Sequence, residues 1–243
     1  MKVLELFAGS WSFTNVAKEY GFETFTTDHK HFEGIDYVTD FFGFDIDKVP
    51  FVPDIIWASP PCTYFSVASI GKHWNSDHTP KTQEAVNGMA LIKRTKYIIQ
   101  ELKPKYFIIE NPRGKLRKLD LLKYKLDTVT YCQYGDSRMK PTDLWNNLDW
   151  TPREMCKNGM PCHEAAPRGS NTGTQGLKDN YERSKVPIEL CIEIIENILN
   201  DWFTFILFIV GTVELSYIPA QWHTNCCSTM RDNRGSAGVD TFS

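Results

Sequence analysis

The sequence predicts a doubly wound α/β domain, because apolar strands alternate with amphipathic helices along most of the chain. Two buried strands are the clearest of these, one over residues 54–58 before a pair of prolines and one over residues 106–109 before a glutamate. With 243 residues the chain can hold one core of ordinary size. Its net charge of −3 shows no overall basic surface, so any contact with nucleic acid must be local.

The first predicted strand enters a turn of small residues at Gly9. Ser12 is predicted to cap the next helix and Gly21 to end it. A second strand then ends at Asp28, 19 residues after Gly9, which is the spacing at which a βαβ unit contacts ribose hydroxyls. Trp11 stands where dinucleotide-binding turns have a further glycine. The turn therefore favours a compact adenosyl ligand without a pyrophosphate over NAD.

Two strand ends carry reactive side chains. Cys62 follows two prolines, which fix the backbone and direct the thiol off the sheet as a candidate nucleophile. Glu110 closes a buried strand, where a carboxylate is costly unless it has a partner or a task. Ligands of open α/β sheets bind outside the carboxyl ends of the strands, so both side chains are expected to face one crevice. The alternatives are a buried structural cysteine and a glutamate that caps the next loop.

The remaining elements continue the alternation. A helix is predicted over residues 82–102, a strand over 128–133 and a helix over 187–200. Between 146 and 180 the pattern gives way to Pro, Gly, Ser, Thr and Asn, which favours irregular structure. The apolar stretch at 203–213 is too short to span a bilayer.

Five motifs resemble those of the DNA (cytosine-5-)methyltransferase family, particularly its short phage and prophage members, over about residues 1–200. They are LFAG at 6–9, PPC followed by FS at 60–66, ENP at 110–112, YGDSRMK at 134–140 and RSKVP at 183–187. The basic motif of the family normally has two arginines spaced by one residue, and here Lys140 stands in the second place. The usual glutamine is out of register unless Gln133 substitutes for it, and Ser184 replaces an asparagine that contacts the cofactor.

The resemblance implies a Rossmann-like sheet that uses S-adenosyl-L-methionine to methylate carbon 5 of a flipped-out cytosine in duplex DNA. It implies that Cys62 adds to carbon 6 of the base and that Glu110 neutralises the charge that develops on N3. Arg138 would hold the carbonyl oxygen of the base, and Lys140 would orient the thiolate or a phosphate. The residues implied for the cofactor are Phe7, Ala8, Gly9, Asp28, Asp40, Phe41, Pro60 and Ser184.

Two segments are expected to contact DNA. Residues 63–79 suit a loop that closes on DNA, with Ser66 and Lys72 as phosphate donors, and an ordinary solvated loop is the alternative. The basic run at 113–125 could follow phosphates or form a solvated face. The family places its target-recognition region where this chain becomes irregular, with a linker as the alternative. The side chains expected to contact base edges there are Arg168, Asn171 and Gln175.

These expectations divide the chain into a catalytic and cofactor-binding domain over 1–145, a small target-recognition region over 146–182, a returning helix over 183–200 and a tail of unknown role over 201–243. Seven cysteines without a signal peptide indicate free thiols in a reducing compartment. We therefore expect a cytoplasmic monomer that does not bind membranes, in a bacterium or a phage-infected host. A cognate restriction nuclease is a possible partner. A catalytically idle DNA-binding relic and a tRNA cytosine-5 methyltransferase stay open as alternatives.

Zinc is a further alternative. Cys156, Cys162 and His163 could hold it if Cys132 or another residue supplied a fourth ligand. The spacing between Cys156 and Cys162 is looser than that of most zinc sites. Partly buried free thiols are the simpler account, and the predicted chemistry requires no metal. No metal ligand is therefore assigned from the sequence.

Overall fold

A seven-stranded sheet forms the centre of the computed structural model, which describes residues 1–164 and 179–210. The strands lie in the order β3-β2-β1-β4-β5-β7-β6. Their bounds are β1 Lys2–Leu6, β2 Glu23–Asp28, β3 Tyr37–Val38, β4 Ile55–Ala58, β5 Tyr106–Pro112, β6 Lys125–Thr130 and β7 Pro141–Asn146. The doubly wound α/β prediction is confirmed.

The directions of the strands show which side chains meet at the edge where the parallel strands end. Strands β1 to β5 pair in parallel, whereas β7 runs antiparallel to both β5 and β6. Because β7 is inverted, it begins at the edge where the parallel strands end, and Thr142 pairs with Pro112 there. The chain turns to opposite sides of the sheet after β1 and after β4, so a crevice opens between these two strands.

Both faces of the sheet are buried, and successive strand residues alternate between them. In β4, Ile55 and Trp57 face one cluster and Ile56 and Ala58 face the other. Helices α1 and α5 contribute to the first cluster and α3 to the second. The helix bounds are α1 Ser12–Glu19, α2 Ile70–His73, α3 Gln83–Leu102, α4 Asn180–Ser184 and α5 Ile188–Val210.

The prediction that Ser12 caps α1 is wrong. Trp11 occupies the cap position in a left-handed conformation, and Ser12 is already the first helical residue. The backbone N–H of Thr14 donates instead to the buried carboxylate of Glu5 at 2.7 Å. The hydroxyl of Ser12 is thereby left to accept from the N–H of Val186 at 3.0 Å, which ties the turn after β1 to the segment before α5.

Two further element boundaries differ from the predictions. The strand expected over 128–133 ends at Thr130, and a 3-10 helix, Tyr131–Tyr134, follows it. The helix expected to end near residue 200 continues to Val210, because no glycine or proline interrupts the chain between Pro187 and Gly211. Strands β3 and β7 were not predicted, since one is only two residues long and the other carries polar residues on both sides.

Residues 147–164 contain neither helix nor strand. The expected base-reading residues Arg168, Asn171 and Gln175 lie outside the described residues. Within the described part of the chain, no helix combines the length and the apolar character needed to cross a membrane.

Candidate active site

Cys62 lies on an elbow just beyond the carboxyl end of β4. The N–H groups of Phe65 and Ser66 both donate to its carbonyl oxygen, at 2.9 and 3.0 Å, so the chain turns sharply after the thiol. The side chain is half-buried. Burial raises the pKa of the Cys62 thiol, and the Glu110 carboxylate raises it further, whereas Lys140 lowers it. Arg183 also acts to lower it, so the pKa of this thiol depends on three charged neighbours.

Glu110 lies near the end of β5 and is only 5% exposed. One carboxylate oxygen accepts a hydrogen bond from the hydroxyl of Tyr131 at 2.9 Å. Burial, and then the charge of Glu110, raise the pKa of Tyr131 well above its usual value, so this hydroxyl stays a donor. Sequence reasoning missed Tyr131. Tyr131 directly follows β6 and lies three residues before the basic motif, and this position is the sequence feature that could have indicated its place in the site.

Asn111 joins the two strand ends. Its side-chain amide donates to the carbonyl oxygen of Pro60 at 2.9 Å, which links β5 to the elbow that carries Cys62. Its amide oxygen is buried and has no hydrogen-bond partner among the described residues. The relative position of Cys62 and Glu110 is thus set by a direct contact between their own segments.

The two basic residues of the predicted motif have different environments. Arg138 is 4% exposed and pairs with both carboxylate oxygens of Asp136. Its remaining donors reach the carbonyl oxygens of Glu182, Arg183 and Lys185. An arginine has five N–H donors, and these contacts engage all of its nitrogens. The described structure gives Arg138 a positioning role at the end of α4, so a direct bond to the base would require these contacts to change.

Lys140 is the cation of the site. It directly precedes β7 and therefore lies at the edge where β4 and β5 end. Its ammonium group is 4.4 Å from the centre of the Tyr131 ring and donates to the carbonyl oxygen of Arg183 at 3.1 Å. Burial lowers the pKa of Lys140, while Glu110 and Cys62 act to raise it. Glu110 and Lys140 thus act on the pKa of Cys62, and Glu110 and Cys62 act on that of Lys140.

The segment after Cys62, residues 63–79, is held by several hydrogen bonds of its side chains. The indole N–H of Trp74 donates to the carbonyl oxygen of Tyr64 at 2.6 Å, and the ring of His73 is buried against the hydroxyl of Thr82 at 2.7 Å. Ser66 bonds to the hydroxyl of Ser69 at 3.0 Å. Lys72 is exposed. His73 is therefore not available to phosphates, whereas Lys72 is.

Gly114 provides close contact between this segment and the loop after β5. A Cβ at position 114 would lie 2.3 Å from the carbonyl oxygen of Phe65, closer than real Cβ atoms come. The neighbouring N–H of Lys115 donates to that same oxygen at 2.7 Å. The side chain of Lys115 is buried beside His78 and Trp74, so it does not join an exposed basic run.

The ends of β1 and β2 form a second part of the edge. Asp28 is 6% exposed, and one of its oxygens accepts from the N–H of Lys30 at 2.9 Å. A Cβ on Gly9 would lie 3.3 Å from the other oxygen of Asp28 and 3.2 Å from the Phe32 ring. The missing side chain keeps open a cradle between a glycine turn and a buried carboxylate. This cradle fits a ribose, as an adenosyl cofactor requires.

The other expected cofactor residues have mixed environments. The Phe41 ring is buried and tilted against Phe7, with ring centres 4.0 Å apart. The exposed Asp40 carboxylate accepts from the N–H of Phe42 at 3.0 Å, and the Ser184 hydroxyl donates to the carbonyl oxygen of Tyr181 at 2.7 Å. Ala8 and Pro60 are buried at the two strand ends.

A group of potential metal ligands begins at Cys132, directly after Tyr131 in the chain. Cys132, Cys156, Cys162 and His163 bring their ligand atoms within 4.8 Å of one another. The pKa of Cys162 is lowered to about 7, first by its hydrogen bond with His163. Gln133, which was considered as a substitute for the glutamine of the basic motif, instead donates to the sulfur of Cys162 at 3.5 Å.

The fold is a Rossmann-like methyltransferase fold, with a thiol, a carboxylate and a lysine at the edge of its sheet. The family model of the C-5 cytosine-specific DNA methylases matches residues 1–134. A relative from Frog virus 3 (isolate Goorha), the "Probable DNA (cytosine-5)-methyltransferase", is 30% identical over 215 residues, which cover 81% of this chain and 99% of that protein. The chain therefore belongs to the C-5 cytosine-specific DNA methylase family and is an enzyme of the DNA (cytosine-5-)methyltransferase class.

Two solved structures are more distantly similar. A protein described as a DNA modification methyltransferase encoded within a prophage of E. coli matches with a TM-score of 0.43 and 18% identity, over 60% of this chain and 46% of its own. A mutant of DNMT2 from Spodoptera frugiperda matches with a TM-score of 0.37 and 16% identity, over 63% of this chain and 53% of its own. This chain thus spans about half the length of each.

Proposed function

We propose that the protein transfers a methyl group from S-adenosyl-L-methionine to carbon 5 of a flipped-out cytosine in duplex DNA, through a covalent adduct with Cys62. The observation that carries this proposal is the convergence of Cys62, Glu110 and Lys140 at one edge of the sheet, where Glu110 and Lys140 act in opposite directions on the pKa of Cys62. A structural cysteine would not need a buried carboxylate and a lysine as its electrostatic neighbours.

The chemistry follows from these groups. Carbon 5 of cytosine is a weak nucleophile until the thiolate of Cys62 adds to carbon 6 and pushes electrons toward N3. Glu110 holds a proton against N3 and so neutralises the developing charge. Since the negative charge of Glu110 raises the Cys62 pKa, a proton held there also favours the thiolate. Base binding and activation of the nucleophile are therefore coupled.

Lys140 and Tyr131 complete the constellation. The ammonium group of Lys140 stabilises the Cys62 thiolate, and it is proposed to bind the carbonyl oxygen of the base. Tyr131 fixes one oxygen of Glu110, which leaves the other to face the base. After methyl transfer, a base removes the proton from carbon 5, and the bond between Cys62 and carbon 6 breaks to release the Cys62 thiolate.

S-Adenosyl-L-methionine supplies an electrophilic methyl group when it is bound. Asp28 would accept hydrogen bonds from the ribose hydroxyls, because its buried carboxylate lies beside the open cradle at Gly9. Phe7 and Phe41 would offer aromatic surface to the adenine, and Asp40 a carboxylate beside it. Ala8, Pro60 and Ser184 would line the same edge.

The DNA substrate must present its cytosine outside the helix, since carbon 6 is inaccessible within a duplex. The exposed Lys72 and the partly exposed Ser66 are proposed to contact phosphates beside the site. Arg168, Asn171 and Gln175 are proposed to contact base edges. The enzyme is proposed to act as a monomer, with or without a cognate nuclease.

Methyl transfer to defined substrates tests this proposal. Purified protein and labelled S-adenosyl-L-methionine are incubated with duplex DNA or with tRNA, and the product DNA is mapped by bisulfite sequencing. We expect label in duplex DNA at cytosine carbon 5 with wild-type protein and none with Cys62→Ala, which circular dichroism should show to be folded. Label in tRNA alone would identify an RNA enzyme. No label in either substrate with folded protein would support the idle relic.

A further inference from the structure

We propose that Cys132, Cys156, Cys162 and His163 form a structural zinc site that holds residues 151–164 against the 3-10 helix Tyr131–Tyr134. The proposal is independent of the methyl-transfer chemistry, because none of the four ligands belongs to the Cys62 site. Sequence reasoning assigned no metal ligand. The fold supplies the fourth ligand that the sequence left open, since Cys132 comes from a different element than the other three.

The distances between the ligand atoms fit a tetrahedron. Zn–S bonds of about 2.3 Å and Zn–N bonds of about 2.0–2.1 Å place two sulfurs ~3.8 Å apart, and a sulfur and a nitrogen ~3.6 Å apart. The sulfur of Cys162 lies 3.2 Å from that of Cys156 and 3.7 Å from that of Cys132. Nδ1 of His163 lies 3.4 Å from the sulfur of Cys156 and 3.7 Å from that of Cys162. Small changes in these distances would let the four ligand atoms bind a zinc ion.

The backbone builds this arrangement despite the loose spacing. Gly159 has a φ of 87°, and the N–H of Met160 donates to the carbonyl oxygen of Lys157 at 3.3 Å, so the chain reverses between Cys156 and Cys162. The N–H of Cys156 donates to the hydroxyl of Thr130 at 2.8 Å, which fixes it beside Cys132. The five residues between Cys156 and Cys162 thus form a turn that brings the two sulfurs together.

The donor set favours zinc over other metals. Three thiolates and one imidazole in a tetrahedral arrangement are typical of structural zinc, whereas Mg²⁺ and Ca²⁺ require oxygen ligands. Four protein ligands leave no position open for a substrate, so the site is structural rather than catalytic. The amide of Gln133 donates to the sulfur of Cys162 at 3.5 Å and would support that ligand from outside the cluster.

The site lies next to the catalytic residues in the chain. Cys132 directly follows Tyr131, whose hydroxyl holds Glu110. On the other side, Arg153 donates to the carbonyl oxygen of Gln133 at 2.7 Å and forms ion pairs with Glu189 and Glu193 of α5. The ion would therefore hold residues 156–163 against the same turn that Arg153 links to α5.

Metal content tests the proposal directly. The wild-type protein is purified under reducing conditions without chelator, and zinc is measured by inductively coupled plasma mass spectrometry. We expect about one zinc per chain in wild type and at least a tenfold lower content in Cys162→Ser, whose side chain is exposed. Cys62→Ser is the matched control and should retain the full content. Gln133→Ala should weaken zinc binding about 10-fold in a competition with a chromophoric chelator.

Cobalt substitution provides a second measurement that does not depend on a variant. Co²⁺ added to the apoprotein should give the intense visible bands of tetrahedral thiolate coordination, and Zn²⁺ should abolish them. Acidification should release the metal, because protons compete for the thiolates and the imidazole. Absence of zinc from folded wild-type protein, together with no cobalt bands, would overturn the proposal. A Cys156–Cys162 disulfide in freshly prepared, metal-free protein would also overturn it.

Discussion

The two halves of the sheet edge differ in how they hold their charged groups. At the ends of β4 and β5 and before β7, Cys62, Glu110 and Lys140 lie at one edge of the sheet, and the charges of Glu110 and Lys140 act on the pKa of Cys62. In the other half, Asp28 ends β2 and Asp40 follows β3, and each carboxylate accepts a hydrogen bond from a backbone N–H group in a turn of its own. The first half is arranged for changes of protonation and the second for binding a neutral, hydroxyl-rich group. Substitutions in the first half should therefore alter rates and pH profiles, and those in the second should alter affinity.

Among the substitutions that retain the Cys62 thiol, the largest effect is expected for Glu110→Gln. The amide can still accept the Tyr131 hydrogen bond but cannot hold a proton for N3, so the single-turnover rate of methyl transfer should fall about 10²–10⁴-fold. Affinity for S-adenosyl-L-methionine should be unchanged in a calorimetric titration. Tyr131→Phe, which retains the carboxylate of Glu110, serves as the control, and its single-turnover rate should fall much less. Equal losses in the two variants would show that Glu110 acts through packing.

Asp28→Ala should affect affinity instead. Loss of a hydrogen-bonded buried carboxylate costs about 1–3 kcal/mol, so the dissociation constant for S-adenosyl-L-methionine should rise roughly 5- to 150-fold. DNA binding should be nearly unchanged. Asp40→Ala is a useful comparison, because its carboxylate is exposed and should contribute less. Calorimetry that gives the Asp28 variant the wild-type affinity would remove Asp28 from the cofactor site.

Gly114→Ala tests the contact that braces the Cys62 segment. The added Cβ would meet the carbonyl oxygen of Phe65, a backbone atom that can move only with its loop. We expect a loss of about 1–3 kcal/mol in the free energy of unfolding, measured with urea. In the control, Gly71→Ala, the new Cβ meets nothing within 4 Å and stability should be unchanged or slightly higher. Similar stabilities for both variants would contradict the close contact.

Lys140→Met should produce the smallest change, a shift in the pH profile of the thiol. Lys140 lowers the Cys62 pKa and Glu110 raises it, so Lys140→Met should move the midpoint of Cys62 alkylation to higher pH and Glu110→Gln should move it to lower pH. A shift of one unit changes the thiolate fraction about tenfold below the midpoint. Alkylation of the Cys62 peptide is followed by mass spectrometry, with Lys72→Met as the exposed control. Shifts in the same direction would contradict the coupling.

The sequence was sufficient for the apolar strands of the sheet and for the strand ends that carry Cys62 and Glu110. The apolar strands before Cys62 and Glu110 are buried on both faces, and such strands leave a strong local signal. Strand β7 has a weak sequence signal, because it includes the polar residues Thr142, Asp143 and Asn146, which are buried only by tertiary contacts. Without β7 the sequence could not show why Lys140 joins the site while Arg138 pairs with Asp136.

The cysteine cluster shows the same limit. Cys132 is 24 residues from Cys156 and belongs to another element, so their proximity depends on the 3-10 helix after β6. Ser12 is similar, since its hydroxyl bonds to Val186 far along the chain, and no local cap pattern reveals that contact. Predictions made from neighbouring residues were confirmed for the apolar strands and failed where distant segments decide the partner.

Covalent trapping of Cys62 tests the central claim most directly. Duplex DNA that contains 5-fluorocytosine is incubated with the protein and S-adenosyl-L-methionine, and the product is analysed by denaturing electrophoresis and peptide mass spectrometry. Fluorine at carbon 5 cannot leave as a proton does, so the adduct should persist. The account predicts a stable, cofactor-dependent adduct on the Cys62 peptide and none with Cys62→Ala. A folded, cofactor-bound wild-type protein that methylates ordinary DNA but forms no adduct, or forms it at another cysteine, would contradict the account.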